Sequence, residues 1–138
     1  MANNYPIYSR VGDVQWSSTA TTVANTTVDL TSGTSYLVFT ADTTSGGYVQ
    51  RIRFKSLGTN TTSVARIWMN NGLTTTLSSN NSLVDEITLN STTVSQTAAL
   101  PIYELPLNFA MPPGYRLYIT LGTAVAAGYD VTVFGGKY

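Results

Sequence analysis

Short segments in which apolar and polar residues alternate recur along this chain, and they constrain its fold more than any other feature. No window of ten residues keeps the i, i+3, i+4 apolar spacing of a helix. Thr, Val, Ile and Tyr dominate the segments, and these residues favour a pleated, half-buried surface. Turn-forming clusters such as Ser45-Gly46-Gly47 and Pro112-Pro113-Gly114 separate them. The pattern therefore predicts an all-β fold, either a sandwich or a barrel.

Nine strands are predicted from this alternation, and they belong to a single domain. A chain of 138 residues buries about two-thirds of its surface on folding, which is enough for one hydrophobic core. The predicted strands lie near Val14–Ser18, Thr27–Thr31, Ser35–Ala41, Tyr48–Ser56, Ser63–Met69, Leu83–Leu89, Ile102–Leu107, Tyr115–Leu121 and Asp130–Phe134.

The composition excludes several kinds of site. The chain has no Cys and no His, so disulfides, zinc fingers, thiol nucleophiles and His-based triads are ruled out. Thr, Ser and Asn supply 46 of the 138 residues, and the seven basic residues balance the seven acidic ones. A neutral chain is a poor nonspecific binder of nucleic acid, because neutralising phosphates needs a surplus of Lys and Arg. We therefore expect no cofactor, no metal and no nucleic-acid partner.

Neither a leader peptide nor a membrane span is expected. The first residues, Met1–Pro6, contain no basic stretch followed by an apolar one, as a signal peptide would require. The chain also has no run of 18 apolar residues. We therefore expect no membrane partner.

Alternation along the predicted strand Tyr48–Ser56 separates basic from apolar residues. Arg51, Arg53 and Lys55 point to one face of the strand, while the apolar residues between them point into the core. These three side chains form a basic face with three open interpretations. The face is either solvated, paired with carboxylates across a subunit interface, or used to bind a polyanion.

The next strand, Ser63–Met69, is expected to pair with this one as a hairpin. Its alternation sends Ala65, Ile67 and Met69 inward, so Arg66 and Trp68 join the basic face. An exposed Trp at that place stacks on sugars or on a protein partner. The candidate interface therefore comprises Arg51, Arg53, Lys55, Arg66 and Trp68.

Other aromatic residues divide between the surface and the core. Tyr48 and Tyr118 are candidates for the same outer face as Trp68. The remaining candidates are expected to pack in the core or at a sheet edge, and they are Trp16, Tyr36, Tyr103 and Tyr115.

The carboxylates do not form a recognisable catalytic pair. Asp85 and Glu86 are adjacent on a predicted strand and therefore point to opposite faces. A pairing of Glu104 with Asp130 or Glu86 stays open at this stage, although nothing in the sequence selects it. Asp42 is expected to stabilise a plain turn. We expect the protein not to be an enzyme.

Several segments of the chain resemble small structural proteins of tailed bacteriophages. The resemblance runs from about Ser35 to the C-terminus. Its pattern Leu105-Pro106 followed by Pro113-Gly114-Tyr115-Arg116-Leu117 also occurs in other viral and TNF-like jelly rolls. The segments that carry it are Gln50–Asn60, Ala65–Gly72, Leu105–Tyr118 and Phe134–Tyr138.

The resemblance implies a capsid decoration, or cement, protein. Such a protein is an antiparallel jelly-roll β-sandwich of about eight to nine strands on the outer capsid surface of the virion, made in the host cytoplasm. It commonly forms a homotrimer and bridges neighbouring subunits of the major capsid protein. Residues 1–30 would then form an N-terminal arm and first strand that contact the shell or a neighbouring subunit, and residues 31–138 the jelly roll. The alternative is a carbohydrate- or receptor-binding module of a phage fibre or head appendage, whose partner is a host glycan.

Overall fold

Eight strands pair into two antiparallel sheets in a computed structural model of the chain, which describes residues 10–17 and 19–138. A 3-10 turn at Ser78–Asn80 precedes the fifth strand. The strands are β1 (Val11–Trp16), β2 (Tyr36–Thr40), β3 (Gly47–Ser56), β4 (Ser63–Asn70), β5 (Asn81–Leu89), β6 (Ile102–Met111), β7 (Arg116–Leu121) and β8 (Tyr129–Lys137).

The order of the strands defines a jelly roll. One sheet has the order β1-β8-β3-β6 and is called the β3 sheet below, and the other has the order β2-β7-β4-β5 and is called the β4 sheet. Every connection between consecutive strands passes from one sheet to the other, except that between β4 and β5. Two interleaved Greek keys of this kind characterise a double-sheet jelly roll. The predicted all-β antiparallel jelly-roll sandwich is thus confirmed.

The core lies between the two sheets and is built from the residues that alternation sends inward. The predicted inward residues of β3 and β4 are fully buried at Ile52, Phe54, Ala65 and Ile67. The alternating apolar residues of β7 are fully buried as well, and they are Leu117, Ile119 and Leu121. Period-two patterning therefore identifies the inner faces of the central strands correctly.

The predicted strand at Thr27–Thr31 is wrong, because this segment forms an irregular loop. Asn25 closes the loop at its base, where its Nδ2 donates to the carbonyl oxygens of Ser32 and Thr34 at 2.9 and 3.0 Å. Near the tip, the Asp29 carboxylate accepts hydrogen bonds from the amide and hydroxyl of Thr31, and these bonds lower the pKa of Asp29. Side-chain donors and acceptors thus replace the partners that a strand ladder would supply. We call residues 25–34 the covering loop.

The N-terminal strand β1 is part of the sandwich and forms one edge of the β3 sheet. β1 pairs with β8 from Val11 opposite Lys137 to Trp16 opposite Thr132. The predicted first strand extended to Ser18, which lies outside the described residues, as do residues 1–9 of the predicted arm. The role of residues 1–30 in contacting a shell or a neighbour stays a prediction. Within the described residues, no helix is long and apolar enough to cross a membrane.

Replacing Tyr129 by Phe is expected to leave the free energy of unfolding unchanged or to raise it by about 1 kcal/mol. Tyr129 is fully buried, and its hydroxyl has no hydrogen-bond partner among the described residues. Burial also raises the pKa of this phenol. Removing an unpaired buried hydroxyl removes its desolvation cost while keeping the ring in the core. Urea unfolding measures the change, and a loss of stability would contradict this account of the hydroxyl.

Candidate interaction surface

The predicted basic face is divided between the two opposite outer surfaces of the sandwich. β3 belongs to one sheet and β4 to the other, so the two strands do not form the predicted hairpin. Arg51, Arg53 and Lys55 lie on the outer face of the β3 sheet, whereas Arg66 lies on the outer face of the β4 sheet. The prediction of a single hairpin carrying all four basic residues is therefore wrong.

Trp68 is buried, which corrects the prediction that solvent or a partner reaches it. Only 2% of its surface is exposed. Its neighbour Ile67 points into the core, so alternation does direct Trp68 to the outer side of the β4 sheet. There its Nε1 donates a hydrogen bond of 3.0 Å to Oγ1 of Thr120. The glycan-binding alternative thereby loses one of its supports, because the ring of Trp68 is not exposed for stacking on a sugar.

The covering loop explains why solvent does not reach Trp68. At its base, the backbone N–H of Asn25 donates to the carbonyl oxygen of Leu121 at the end of β7. Near its tip, the carbonyl oxygen of Asp29 accepts a bond of 3.0 Å from Nδ2 of Asn81 at the start of β5. Since β4 lies between β7 and β5, the loop crosses the outside of β4, and Leu30 at its tip is buried.

Arg66 has its own carboxylate partner on this outer face. Its Nε lies 3.0 Å from Oε1 of Glu86, its neighbour on β5. Glu86 and Glu104 therefore lie on opposite outer faces and do not face each other across a shared site.

Two arginines and an aromatic ring form a compact group on the outer face of the β3 sheet. Arg53 contacts Oε1 of Glu104 through both Nε and Nη2 at 2.6 Å. Arg51 Nε lies 3.5 Å from the same oxygen. The guanidinium carbons of Arg51 and Arg53 lie 4.3 and 5.1 Å from the ring centroid of Phe134. We call Arg51, Arg53, Glu104 and Phe134 the arginine cluster.

The contacts within the arginine cluster hold the guanidinium groups in place but add little to the stability of the fold. Its side chains are about one-third exposed, and exposed ion pairs contribute only about 0–1 kcal/mol. Stacking on Phe134 adds about 0.5–1 kcal/mol at an exposed site. Two cations share one carboxylate, so the cluster carries a net positive charge. A planar, pre-oriented guanidinium is well suited to bind a carboxylate of a partner.

Lys55 has a different role from the two arginines. Its Nζ donates a hydrogen bond of 2.7 Å to the carbonyl oxygen of Leu100. This bond fixes the end of the connection between β5 and β6 to the β3 sheet. Lys55 lies on the predicted face, with its ammonium group engaged by the chain itself.

Trp16 is the exposed tryptophan of this protein, and sequence reasoning missed it. It was expected to pack in the core or at a sheet edge, and it does lie on the edge strand β1, yet 67% of its surface is exposed. Trp16 lies in one row with Thr132, Arg53 and Glu104 across the four strands of the β3 sheet. Val14 lies in the next row with Phe134 and Arg51, so the face continues from the arginine cluster to β1.

Gln15 explains why Trp16 on β1 points outward. The amide of Gln15 donates to the carbonyl oxygen of Thr40 and accepts from its N–H, both at 2.9 Å. Thr40 belongs to β2 in the other sheet, so Gln15 points inward and bridges the two sheets. Period two then sends Val14 and Trp16 outward. The sequence signals this orientation only by placing the polar Gln15 between the apolar residues Val14 and Trp16.

The remaining carboxylates support local structure. Asp42 accepts hydrogen bonds from the amides of Ser45 and Thr44 at 2.8 and 2.9 Å, and these bonds lower the pKa of Asp42. Among residues 10–17 and 19–138, no group of three or more acidic residues could hold a metal ion.

Comparisons with protein-family models, curated proteins and solved structures find no match to this chain. The order of its strands defines the class of the protein, a jelly-roll sandwich, and the arginine cluster is an organised feature of its surface.

Proposed function

We propose that this protein is a decoration, or cement, protein of a tailed-bacteriophage capsid. It binds the outer surface of the shell, bridges neighbouring subunits of the major capsid protein and is made in the host cytoplasm. The resemblance of residues 50–60, 65–72 and 105–118 to phage structural proteins supports this proposal. The observation that carries it on the molecule is the arginine cluster, a pre-oriented and half-exposed group suited to carboxylates of a partner.

The proposed mechanism is mechanical and needs no chemical step, cofactor, nucleic acid or membrane. A ligand that binds the assembled shell but not free subunits stabilises the shell by mass action. A homotrimer at a junction between capsomers presents three copies of the face at once. Simultaneous contacts raise the apparent affinity by about 10²–10⁴-fold over one contact when the geometry allows all of them.

The outer face of the β3 sheet is the proposed contact with the shell. It carries Arg51 and Arg53, and Arg is enriched among residues that dominate binding energy. The outer face of the β4 sheet is partly occupied by the covering loop, and its Trp68 is buried. Of the five residues in the predicted interface, the proposal therefore keeps Arg51, Arg53 and Lys55.

Replacing Arg51 or Arg53 by Ala is expected to weaken binding to particles stripped of this protein by at least about tenfold, the range of an interface anchor. The free energy of unfolding should change by less than about 1 kcal/mol, since both side chains are partly exposed. Arg66→Ala is the matched control, because Arg66 also pairs with a glutamate but lies on the opposite outer face. Co-sedimentation with stripped particles gives the dissociation constants.

Two results would overturn parts of this proposal. If Arg66→Ala weakens binding while Arg51→Ala does not, the contact lies on the β4 sheet. If the protein fails to bind stripped particles, or binds without raising their rupture temperature, the cementing function is wrong. Size-exclusion chromatography with light scattering tests the homotrimer, and a monomer at micromolar concentration would contradict it.

A further inference from the structure

A depression of about 460 Å³ lies beside Trp16, where β1 leaves the β3 sheet. Its wall combines one indole ring with hydroxyl groups and a carboxylate. The lining residues are Trp16, Ser17, Thr19, Ala20, Asp130 and Thr132. The arginine cluster is not part of this wall, so the depression is a separate feature of the same face.

Folding alone does not account for the groups that line this depression. An indole that is 67% exposed leaves a large apolar area in water, although Trp residues are highly buried on average. The exposed carboxylate of Asp130 forms no ion pair with a described residue.

We propose that this depression binds one pyranose ring of a neutral glycan. The apolar C–H face of the sugar lies on the indole of Trp16, which offers a large, rigid and amphipathic surface. The sugar hydroxyls donate to the carboxylate of Asp130 and exchange hydrogen bonds with the hydroxyl of Thr132. A hydrogen bond to a charged acceptor is stronger than a neutral one, so Asp130 fixes the orientation of the ring.

The charge and polarity of the wall select this class of ligand. A carboxylate without an ion-pair partner disfavours acidic sugars, because like charges repel at short range. An anchor residue of a protein partner would occupy a well-packed, fully desolvated pocket, whereas hydroxyls and a carboxylate surround Trp16 in this open depression. The inference concerns the free protein and does not rest on the proposed binding to a capsid.

Acrylamide quenching of tryptophan fluorescence provides a direct test, because Trp16 is exposed and Trp68 is buried. Cellohexaose, maltohexaose, chitohexaose and mannohexaose serve as neutral probes, and polysialic acid is the acidic comparison. At least one neutral probe is expected to protect Trp16 saturably, with a dissociation constant on the order of 1 mM for a single ring in an open depression. Polysialic acid is expected to give no protection.

Variants in the wall separate this site from general surface effects. Calorimetric titration should show that Trp16→Ala and Asp130→Ala weaken binding by at least about tenfold, whereas Trp16→Phe keeps part of it. Val14→Ala is the matched control, since Val14 lies on the same strand and faces outward with 47% exposure. It should bind like the unaltered protein.

Several outcomes would refute the glycan site. They are protection by none of the neutral probes at about 10 mM, tighter binding of polysialic acid, and unchanged binding by Trp16→Ala. If Trp16→Ala reduces binding to stripped particles while no oligosaccharide binds, Trp16 belongs to a protein interface instead. Particle binding is measured separately, so failure of the glycan site and failure of the cementing function are distinguishable.

Discussion

Replacing Trp68 by Ala is expected to lower the free energy of unfolding by about 3–5 kcal/mol, the range for a large buried aromatic side chain. The ring is buried on the outer side of the β4 sheet, which the covering loop crosses, so its removal leaves a cavity there. The substitution also removes the donor of the 3.0 Å hydrogen bond to Thr120, which is itself fully buried. Urea unfolding followed by far-ultraviolet circular dichroism gives the change without relying on tryptophan fluorescence.

Trp16→Ala is the matched control, because it deletes the same side chain at an exposed position. We expect it to change the free energy of unfolding by less than about 1 kcal/mol. Thr120→Val offers a milder test of the hydrogen bond, with an expected loss of about 1–3 kcal/mol from the unpaired indole N–H. Equal effects of the two Trp substitutions would contradict the burial of Trp68 beneath the loop.

The contrast between the two tryptophans shows what alternation can and cannot predict. Period two correctly directed Trp68 to the side of its strand opposite Ile67. It could not predict that residues 25–34 would cover that side, because this loop is held by side-chain bonds of Asn25 and Asp29 rather than by a pattern along a strand. The error at Thr27–Thr31 and the error at Trp68 therefore have the same cause.

Strand positions were predictable for β3 and β4, because the residues that face the core on each of them must be apolar. The predicted segment Tyr48–Ser56 differs from β3 by one residue at its start, and Ser63–Met69 differs from β4 by one at its end. The pattern did not say which sheet each strand joins, so Arg51 and Arg66 were wrongly placed on one face. Partition between sheets depends on long-range pairing, and a sequence pattern within one strand contains no information on it.

The abundant Thr, Ser and Asn residues do more than cover the sheets with neutral polar groups. Asn25 closes the base of the covering loop, and Asn81 holds its tip. Both of these amides bind backbone groups that a strand ladder leaves without partners. The buried amide of Asn60 does the same at one end of the sandwich. The loops of this weakly charged chain are thus fixed by amide side chains, where other proteins use ion pairs or disulfides.

Replacing Asn60 by Ala is expected to lower the free energy of unfolding by about 3–5 kcal/mol, because several buried groups lose their partner at once. Asn60 is 3% exposed. Its Oδ1 accepts from the amides of Ala127 and Gly128, both at 2.8 Å. Its Nδ2 donates to Oγ of Ser56 and to the carbonyl oxygen of Gly128, both at 3.0 Å. Asn90→Ala, at an exposed position, is the control and should change stability by less than about 0.5 kcal/mol.

Asn60→Asp tests the same network with almost no change in shape. The new carboxylate keeps an acceptor for the two amides, but it turns an oxygen toward the carbonyl oxygen of Gly128. Burial and this repulsion should raise the pKa of the introduced Asp in the folded state, because both disfavour its charged form. Stability relative to the unaltered protein should then be greatest at low pH and fall as the pH rises through the unfolded pKa of about 4. Urea unfolding at pH 4 and pH 7 measures this difference, and a deficit that does not grow with pH would show that Asn60 is less enclosed than its four hydrogen bonds indicate.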